Sequence, residues 1–235
     1  MNRIDVIYSY IDLKDKVIDV GCDQAFLSIK LAKRGQPSIA SDISENVIKS
    51  AKEKIDKLNY SSIISLKVTN GLNNIDEEVD TLVLSGMGTY TIINILKDTS
   101  IKFKKIITIS NNNNDILRKE MLSLNYKVKC EQIIYEKNKY YNLIVFIPGK
   151  ETYTKKQLLL GINHQDKDTY NKWKDYLLNK YTIIKSKSNN KNKKINEIIN
   201  LLKKCWQDNN CLIIYLYQVI NTNLLLLNSW YLRRN

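Results

Sequence analysis

Short apolar runs alternate with amphipathic stretches over the first 125 or so residues, and this alternation predicts repeated βα units. The predicted strands are Val17–Val20, Ser38–Asp42, Ile63–Val68, Asp80–Ser85 and Lys105–Ser110. Apolar residues at helical spacing predict helices near residues 3–11, 25–34, 44–57, 89–97 and 115–124. Such alternation is typical of an α/β fold with a doubly wound, Rossmann-like parallel sheet.

Several details of these elements can be predicted as well. In the helix after the first strand, the spacing turns Phe26, Ile29 and Leu31 inward, and Gly35 ends the helix. Ser44 is expected to cap the next helix. Two longer alternating runs, 128–135 and 140–147, predict an antiparallel hairpin that closes one edge of the sheet.

The pattern changes after Pro148-Gly149. Residues 154–206 have no strand pattern but carry apolar stripes between Lys and Asn residues, which predicts a coiled-coil-like helical hairpin turning near 185–194. Residues 1–150 would then form the α/β domain and 154–206 a separate α-helical subdomain. Residues 207–235 are an apolar extension that could be a packed helix, a membrane segment or a non-native addition, with the membrane segment disfavoured by its interspersed polar residues.

The composition indicates a basic protein with a polyanionic partner. The formal net charge is +13 and the pI about 9.4, which favours nucleic acid, although a Lys- and Asn-rich genome bias would give a similar surface. The four cysteines show no paired spacing and His164 is the single histidine, expected on a surface helix, so no metal site is predicted. Scattered thiols and the lack of an apolar leader near Met1 favour the cytoplasm.

The stretch from Val17 to Leu27, VIDVGCDQAFL, carries the candidate chemistry. A dinucleotide site needs several glycines so that the backbone can approach the pyrophosphate, but only Gly21 is present here. Asp19 and Asp23 would repel a pyrophosphate, whereas they suit the cationic sulfonium and ammonium groups of S-adenosylmethionine. Asp42, about 20 residues further on, is spaced to hold ribose hydroxyls. The loop therefore favours the methyl donor over a dinucleotide.

The carboxyl ends of the predicted parallel strands bring further candidates to the same edge. Cofactor-binding candidates are Asp19, Gly21, Cys22, Asp42, Ile43, Asn70, Gly71, Ser85 and Gly86, and substrate-binding candidates are Met87, Gly88, Asn111 and Asn112. Plainer interpretations stay open for some of them. Cys22 and Met87 could serve packing, Asn111 and Asn112 could form a solvated loop, and Asp23 could cap the following helix.

Four motifs together resemble the bacterial tRNA adenine-22 N1-methyltransferases, the TrmK family. These are VIDVGCDQAFL at 17–27, Asn-Gly-Leu at 70–72, Leu-Ser-Gly-Met-Gly at 84–88, and Leu-Leu-Gly at 159–161 followed by Tyr-Asn-Lys-Trp at 170–173. The resemblance runs from about residue 1 to 205. The chain departs from the family at Gln24 (His), Phe26 (Tyr), Asn70 (an acid), Thr89 (Gly) and Ser110-Asn111-Asn112 (Gln-Pro-Asn).

This resemblance implies a class I, S-adenosylmethionine-dependent methyltransferase that acts on tRNA, with Asp23 as the catalytic residue. We expect the protein to be a monomer. It also implies that the Lys-rich helical hairpin binds tRNA, with Tyr170, Lys172, Trp173, Lys174, Lys187 and Lys191 as candidate contacts. Two alternatives stay open: a class I methyltransferase acting on another RNA or a small molecule, and a non-catalytic RNA scaffold that binds the donor.

Overall fold

The computed structural model describes residues 2–187, 192, 193 and 195–204. The strands in this part are β1 (Val17–Val20), β2 (Ser38–Asp42), β3 (Ile64–Val68), β4 (Thr81–Ser85), β5 (Lys105–Ser110), β6 (Tyr126–Glu136) and β7 (Lys139–Pro148). The helices are α1 (Arg3–Ser9), α2 (Phe26–Ala32), α3 (Glu45–Lys57), α4 (Thr89–Lys97), α5 (Asn114–Ser123), α6 (Lys155–Leu160) and α7 (Lys167–Lys187). The predicted strands and the N-cap at Ser44 are confirmed.

The strands form one sheet in the order β3-β2-β1-β4-β5-β7-β6. Strands β1 to β5 are parallel, and β7 and β6 add an antiparallel edge as predicted. Strands β2 and β3 are added on one side of β1, and β4 and β5 on the other side. The direction of winding therefore reverses between β1 and β4. Ligands of open α/β sheets bind at such a reversal, outside the carboxyl ends of the strands.

Helices cover both faces of the sheet. Alternate residues such as Ile18 and Leu82 pack under α4 and α5, whereas their neighbours Val17 and Val83 pack under α1 and α2. A third cluster joins α2 and α3 to β2. Because neither face is open to solvent, the central strands are apolar on both sides, which confirms the doubly wound α/β class.

The hairpin turns at Lys137 and Asn138, whose φ values are 49° and 60°. Positive φ at both central residues is the geometry of a type I′ turn, which matches the twist of the strands it joins.

A buried ion pair fastens the segment after β7 to the sheet. Arg118 of α5 and Glu131 of β6 are fully buried and 2.5 Å apart, and Glu131 Oε1 accepts a hydrogen bond from the Ile162 amide at 3.0 Å. Gly161 lies against this pair, and a Cβ there would come within 2.5 Å of Glu131 Oε2 and of His164 Nε2. Packing therefore explains the glycine of the Leu-Leu-Gly motif.

His164 is not on a surface helix, and that prediction is wrong. The residue lies buried in the connection between α6 and α7, with Nε2 2.8 Å from the Leu160 carbonyl oxygen. Its ring stacks on Tyr170 with centroids 3.9 Å apart, and Trp173 lies beside both. Burial lowers the pKa of His164, so the ring is neutral at physiological pH.

The chain divides into two compact units, residues 1–173 and 174–235, so this division falls inside α7 rather than near residue 150. In the second unit, residues 195–204 are helical and bury the predicted stripe of Ile195, Ile198, Ile199 and Leu202. Lys191 and the apolar extension 207–235 lie outside the described residues. In the part of the chain that is described, no helix has the length and apolarity needed to cross a membrane.

Candidate active site

Backbone hydrogen bonds join the loops at the carboxyl edge of the sheet. The amides of Gly21 and Cys22 donate to the Ser41 carbonyl at 2.8 and 3.0 Å, which ties the β1 loop to the end of β2. The Thr69 amide donates to the Asp42 carbonyl at 2.9 Å and ties in β3. On the other side of the winding reversal, the Gly86 amide donates to the Ile109 carbonyl at 3.1 Å and ties the β4 loop to β5. The structure thus brings the candidates after β1 to β5 to one edge.

The β1 loop is held in a strained conformation. Gly21, Asp23 and Ala25 all have left-handed φ values, of 78°, 49° and 54°. For the non-glycine residues this geometry costs about 1–2 kcal/mol each, least for aspartate. The helix α2 starts at Phe26 with Ala25 as its N-cap, and no side chain caps it. The interpretation of Asp23 as a helix cap is therefore wrong, and its carboxylate is exposed at the site.

Phe26 does not face inward as predicted. It is 50% exposed in the first turn of α2, directly after the left-handed residues Asp23 and Ala25. Leu27, Ile29 and Leu31 are buried instead.

Asp19 and Asp42 make the carboxyl edge of the sheet acidic near β1 and β2. Asp19 is 6% exposed, and burial, reinforced by the charge of Asp42, raises its pKa to about 7. Asp42 uses Oδ1 to accept a hydrogen bond from the Ser44 amide at 2.9 Å, at the entry to α3. A buried carboxyl beside a second acid is stabilised in its ionised form by a cationic ligand. The neighbouring Ile43 is exposed at the same edge.

Cys22 packs with small apolar residues of α2 and β2 rather than presenting a reactive thiol. Burial raises its pKa to about 12, so the thiolate is not populated at neutral pH. This supports the packing interpretation of Cys22.

Met87 connects the β4 loop to the β1 loop. It packs against the core under α4, and a Cβ on Gly21 would lie 3.1 Å from its Cε. The side chain therefore both packs and borders the winding reversal. Ser85 is half-buried at the end of β4, Gly86 has open space beside its Cα, and Gly88 is the N-cap of α4.

Asn111 and Asn112 hold the β4 loop. Asn111 Nδ2 donates to the Gly86 carbonyl at 2.9 Å, and Asn112 Oδ1 accepts from the Thr89 amide at 3.4 Å. Thr89 Oγ1 is buried, lies 2.7 Å from Ser110 Oγ and donates to the Asn112 carbonyl. Sequence reasoning missed Thr89 as a site residue. The signal was available, because Thr89 and Ser110–Asn112 are two of the departures from the family and contact each other.

Asn70 and Gly71 follow β3 and border an open cleft of about 270 Å³ with Thr91 and Asn94 of α4. The cleft adjoins the carboxyl edge but does not reach the β1 loop through any of its lining residues. Among the described residues, no group of three or more His, Cys, Asp or Glu side chains could hold a metal ion.

The sheet order, the reversal at β1 and β4 and the single-glycine acidic loop define a class I methyltransferase fold. Residues 1–144 match a family described as a methyltransferase domain. A Mycoplasma genitalium protein provisionally named as a tRNA methyltransferase is 31% identical over 176 residues, which are 70% of this chain and 79% of that protein. The chain belongs to this methyltransferase family, and within it to the TrmK-like proteins.

Two further relatives support this membership. The Bacillus subtilis tRNA (adenine(22)-N(1))-methyltransferase is 28% identical over 153 residues, covering 63% of this chain and 64% of the enzyme. The structure of M. capricolum TrmK in complex with S-adenosyl-homocysteine is 26% identical, with a TM-score of 0.77, over 87% of this chain and 96% of that chain.

Proposed function

We propose that this protein transfers a methyl group from S-adenosylmethionine to N1 of an adenine in tRNA. The observation that carries the proposal is the β1 loop, which holds one buried and one exposed carboxylate on the two sides of a single glycine. The relatives named as tRNA methyltransferases supply the substrate class.

The residues at the edge of the sheet fit the donor. Asp19 and Asp42 offer negative charge to its cationic groups, and the second oxygen of Asp42 can accept a ribose hydroxyl. Gly86 leaves the backbone open to close approach, because nothing lies within 4 Å of the position that a Cβ would take there. When bound, the donor supplies a methyl group on a positively charged sulfur.

Asp23 faces the substrate side in this proposal. The lone pair of adenine N1 attacks the methyl carbon, the N1–carbon bond forms as the carbon–sulfur bond breaks, and the bonding pair stays on sulfur. The base thereby becomes cationic. The Asp23 carboxylate accepts a hydrogen bond from the N6 amino group, which orients the ring and stabilises the developing charge. Since N1 carries no proton at neutral pH, no general base is required.

The β4 loop favours N1 over other positions. Enzymes that methylate an exocyclic amino group hold it with an Asn/Asp-Pro-Pro-aromatic element, whereas this loop is Ser85-Gly-Met-Gly88. Methylation of a pyrimidine C5 needs a thiolate nucleophile. Cys22, the cysteine of the β1 loop, has its pKa raised to about 12 by burial and does not supply one.

The helical segments after residue 154 are proposed to bind tRNA through phosphate contacts. The protein is proposed to act as a monomer in the cytoplasm. The candidate contacts need one revision. Lys174 is only 4% exposed, and Tyr170 and Trp173 pack with His164, so these three residues belong to the packing of the segment. The exposed lysines Lys172 and Lys187 of α7 remain as candidates for phosphates.

The test is to incubate the protein with labelled S-adenosylmethionine and unmodified tRNA transcripts and then to map the methylated nucleotide. The proposal expects 1-methyladenine in tRNA. Label on a small molecule, on another RNA only, or donor binding without any transfer would overturn it in favour of the alternatives. Replacing Lys172 and Lys187 together with Gln tests the helical segments, because weaker tRNA binding with unchanged donor binding would assign tRNA binding to them, and unchanged tRNA binding would remove that role.

A further inference from the structure

A lysine of α3 reaches the β1 loop and is held there by two uncharged groups. Lys54 Nζ donates a hydrogen bond to Gln24 Oε1 and lies 4.8 Å from the centroid of the Phe26 ring. Gln24 and Phe26 come directly after the exposed Asp23 in the chain. The ammonium group of Lys54 therefore contacts two residues of the β1 loop that follow Asp23, the proposed catalytic residue, by one and three positions in the chain.

The charge of Lys54 is oriented but not neutralised. Lys52, on the same helix, pairs with Asp56 at 2.6 Å, and Lys30 of α2 pairs with Asp5. No carboxylate of a described residue forms an ion pair with Lys54. An amide oxygen and an aromatic face restrict an ammonium group while leaving its full charge and its remaining N–H donors available.

The neighbouring surface suits a nucleotide rather than a protein anion. Phe26 is 50% exposed and carries the Lys54 ammonium group over one face of its ring, three residues after Asp23 in the chain. A nucleotide of RNA whose base reaches Asp23 has a backbone phosphate on its 5′ side and another on its 3′ side. Lys54, beside the β1 loop, is placed to contact one of these phosphates. The described α3 also presents Lys49 and Lys57 to solvent, and neither forms a hydrogen bond, an ion pair or a cation–π contact with the β1 loop among the described residues.

We propose that Lys54 is a positioning residue that binds a backbone phosphate flanking the target nucleotide, with Gln24 and Phe26 holding its ammonium group. The inference rests on the proposed function, because it assumes that an RNA nucleotide enters beside Asp23. It adds an RNA contact on the methyltransferase domain itself, separate from the helical segments after residue 154.

The experiment measures binding of unmodified tRNA transcript to the full chain over a range of KCl concentrations. Lys54→Gln should raise the Kd for tRNA about fivefold near physiological salt and reduce the slope of log Kd against log salt by about one. The KM for tRNA should rise with kcat and donor affinity unchanged. Lys54→Arg should restore tRNA binding, and Gln24→Ala should give a smaller rise because the charge remains but is less fixed.

Lys57→Gln is the matched control, since it removes an exposed lysine of the same helix that has no hydrogen bond, ion pair or cation–π contact with the β1 loop among the described residues. An unchanged Kd for tRNA and an unchanged salt slope in Lys54→Gln would overturn the inference. An equal loss of tRNA affinity in Lys57→Gln would do the same. So would a loss of donor binding or a lower Tm in Lys54→Gln that Lys54→Arg does not restore. The two proposals can fail separately. If Lys54→Gln reduces the salt slope but the wild-type protein does not methylate tRNA, the phosphate contact stands and the proposed function is overturned.

Discussion

The carboxylates at the two ends of the parallel sheet differ in their environments, since those at the amino ends form ion pairs and the candidate-site carboxylates at the carboxyl ends form none among the described residues. At the amino ends of the strands, Lys105 of β5 lies 2.5 Å from Asp12 and 3.2 Å from Asp15. Hydrogen bonding to Lys105 lowers the pKa of Asp12. At the carboxyl ends, burial raises the pKa of Asp19 to about 7, and Asp23 is exposed without a capping role.

The acidic residues at the amino end of the sheet are thus paired with a lysine, whereas those at the carboxyl end are placed to bind a cationic ligand. The amino end is also closed by neutral hydrogen bonds, because Gln36 Nε2 donates to the carbonyls of Asp12 and Asp15 at 2.9 and 2.7 Å. Groups satisfied within the protein contribute to stability, whereas groups left unsatisfied at a cleft are candidates for function. Substitutions at the two ends should therefore separate stability from activity.

The largest effect is expected on activity at the carboxyl end. Asp23→Asn keeps the size of the side chain and removes its charge, so the rate of tRNA methylation should fall about 100- to 1000-fold, the usual loss for one preorganised electrostatic group. Thermal unfolding and calorimetric donor binding should stay at wild-type values because Asp23 caps nothing. Glu45→Gln, at an exposed acid in the first turn of α3, is the control. Activity within threefold of wild type in Asp23→Asn would remove the catalytic role.

Stability should respond at the amino end. Lys105→Met keeps the aliphatic stem but leaves Asp15, whose side chain is 16% exposed, without its cation. We expect a loss of about 2–3 kcal/mol in the free energy of unfolding at pH 7, below the usual loss of about 3–5 kcal/mol for a broken buried pair because the exposed Asp12 can rehydrate. Donor affinity should not change. Urea unfolding measures the difference.

The pH dependence checks the cause of that loss. The folded-state pKa of Asp12 lies below its unfolded value, so its stabilising contribution is present above about pH 4 and is lost as the pH falls through the folded pKa. The gap between wild type and Lys105→Met should therefore narrow under acid conditions. A gap that is constant with pH would assign the loss to packing alone.

The fold was largely predictable because the strands are short, buried and marked by turns. Each predicted end of β1, β2 and β5 coincides with the structure, since β-branched runs between Gly, Asn and Asp residues have few alternative assignments. The clustering of candidates at one edge of the sheet followed from parallel topology alone. The family membership rested on motifs that the fold then explained, such as Gly161 against Glu131.

What the sequence did not predict depends on contacts between residues far apart in the chain. Helical periodicity predicts that Phe26 faces inward, but Phe26 is exposed in the first turn of α2, directly after left-handed residues at 23 and 25. Lys174 was predicted to be a tRNA contact and is buried. The hydrogen bonds of Thr89 with residues 110–112 join two loops that no local pattern relates. The roles of the site residues stay predictions, since they depend on ligands.

A smaller effect is expected from the titration of Asp19. Its raised pKa means that the donor-free folded protein binds a proton between about pH 4 and 7 that the unfolded chain has lost, so stability falls as the pH rises through this window. A cationic donor favours the ionised form. Donor affinity should therefore increase about tenfold from pH 6 to pH 8 and level off above 7. Asp19→Asn should flatten this profile in calorimetric titrations, and any slope that remains belongs to the donor.

The smallest effect is expected from an exposed ion pair at the amino end, which tests whether burial rather than pairing matters there. Lys104 lies 2.7 Å from Asp80, its side chain is 80% exposed, and the pair lowers the pKa of Asp80. It sits one residue before Lys105, so Lys104→Met is a close match for Lys105→Met. Water and salt screen the exposed pair, and Asp80 Oδ2 still accepts the Lys16 amide at 2.9 Å. We expect no measurable change in Tm. A destabilisation equal to that of Lys105→Met would mean that net charge at this end, rather than the buried lysine, holds the strands together.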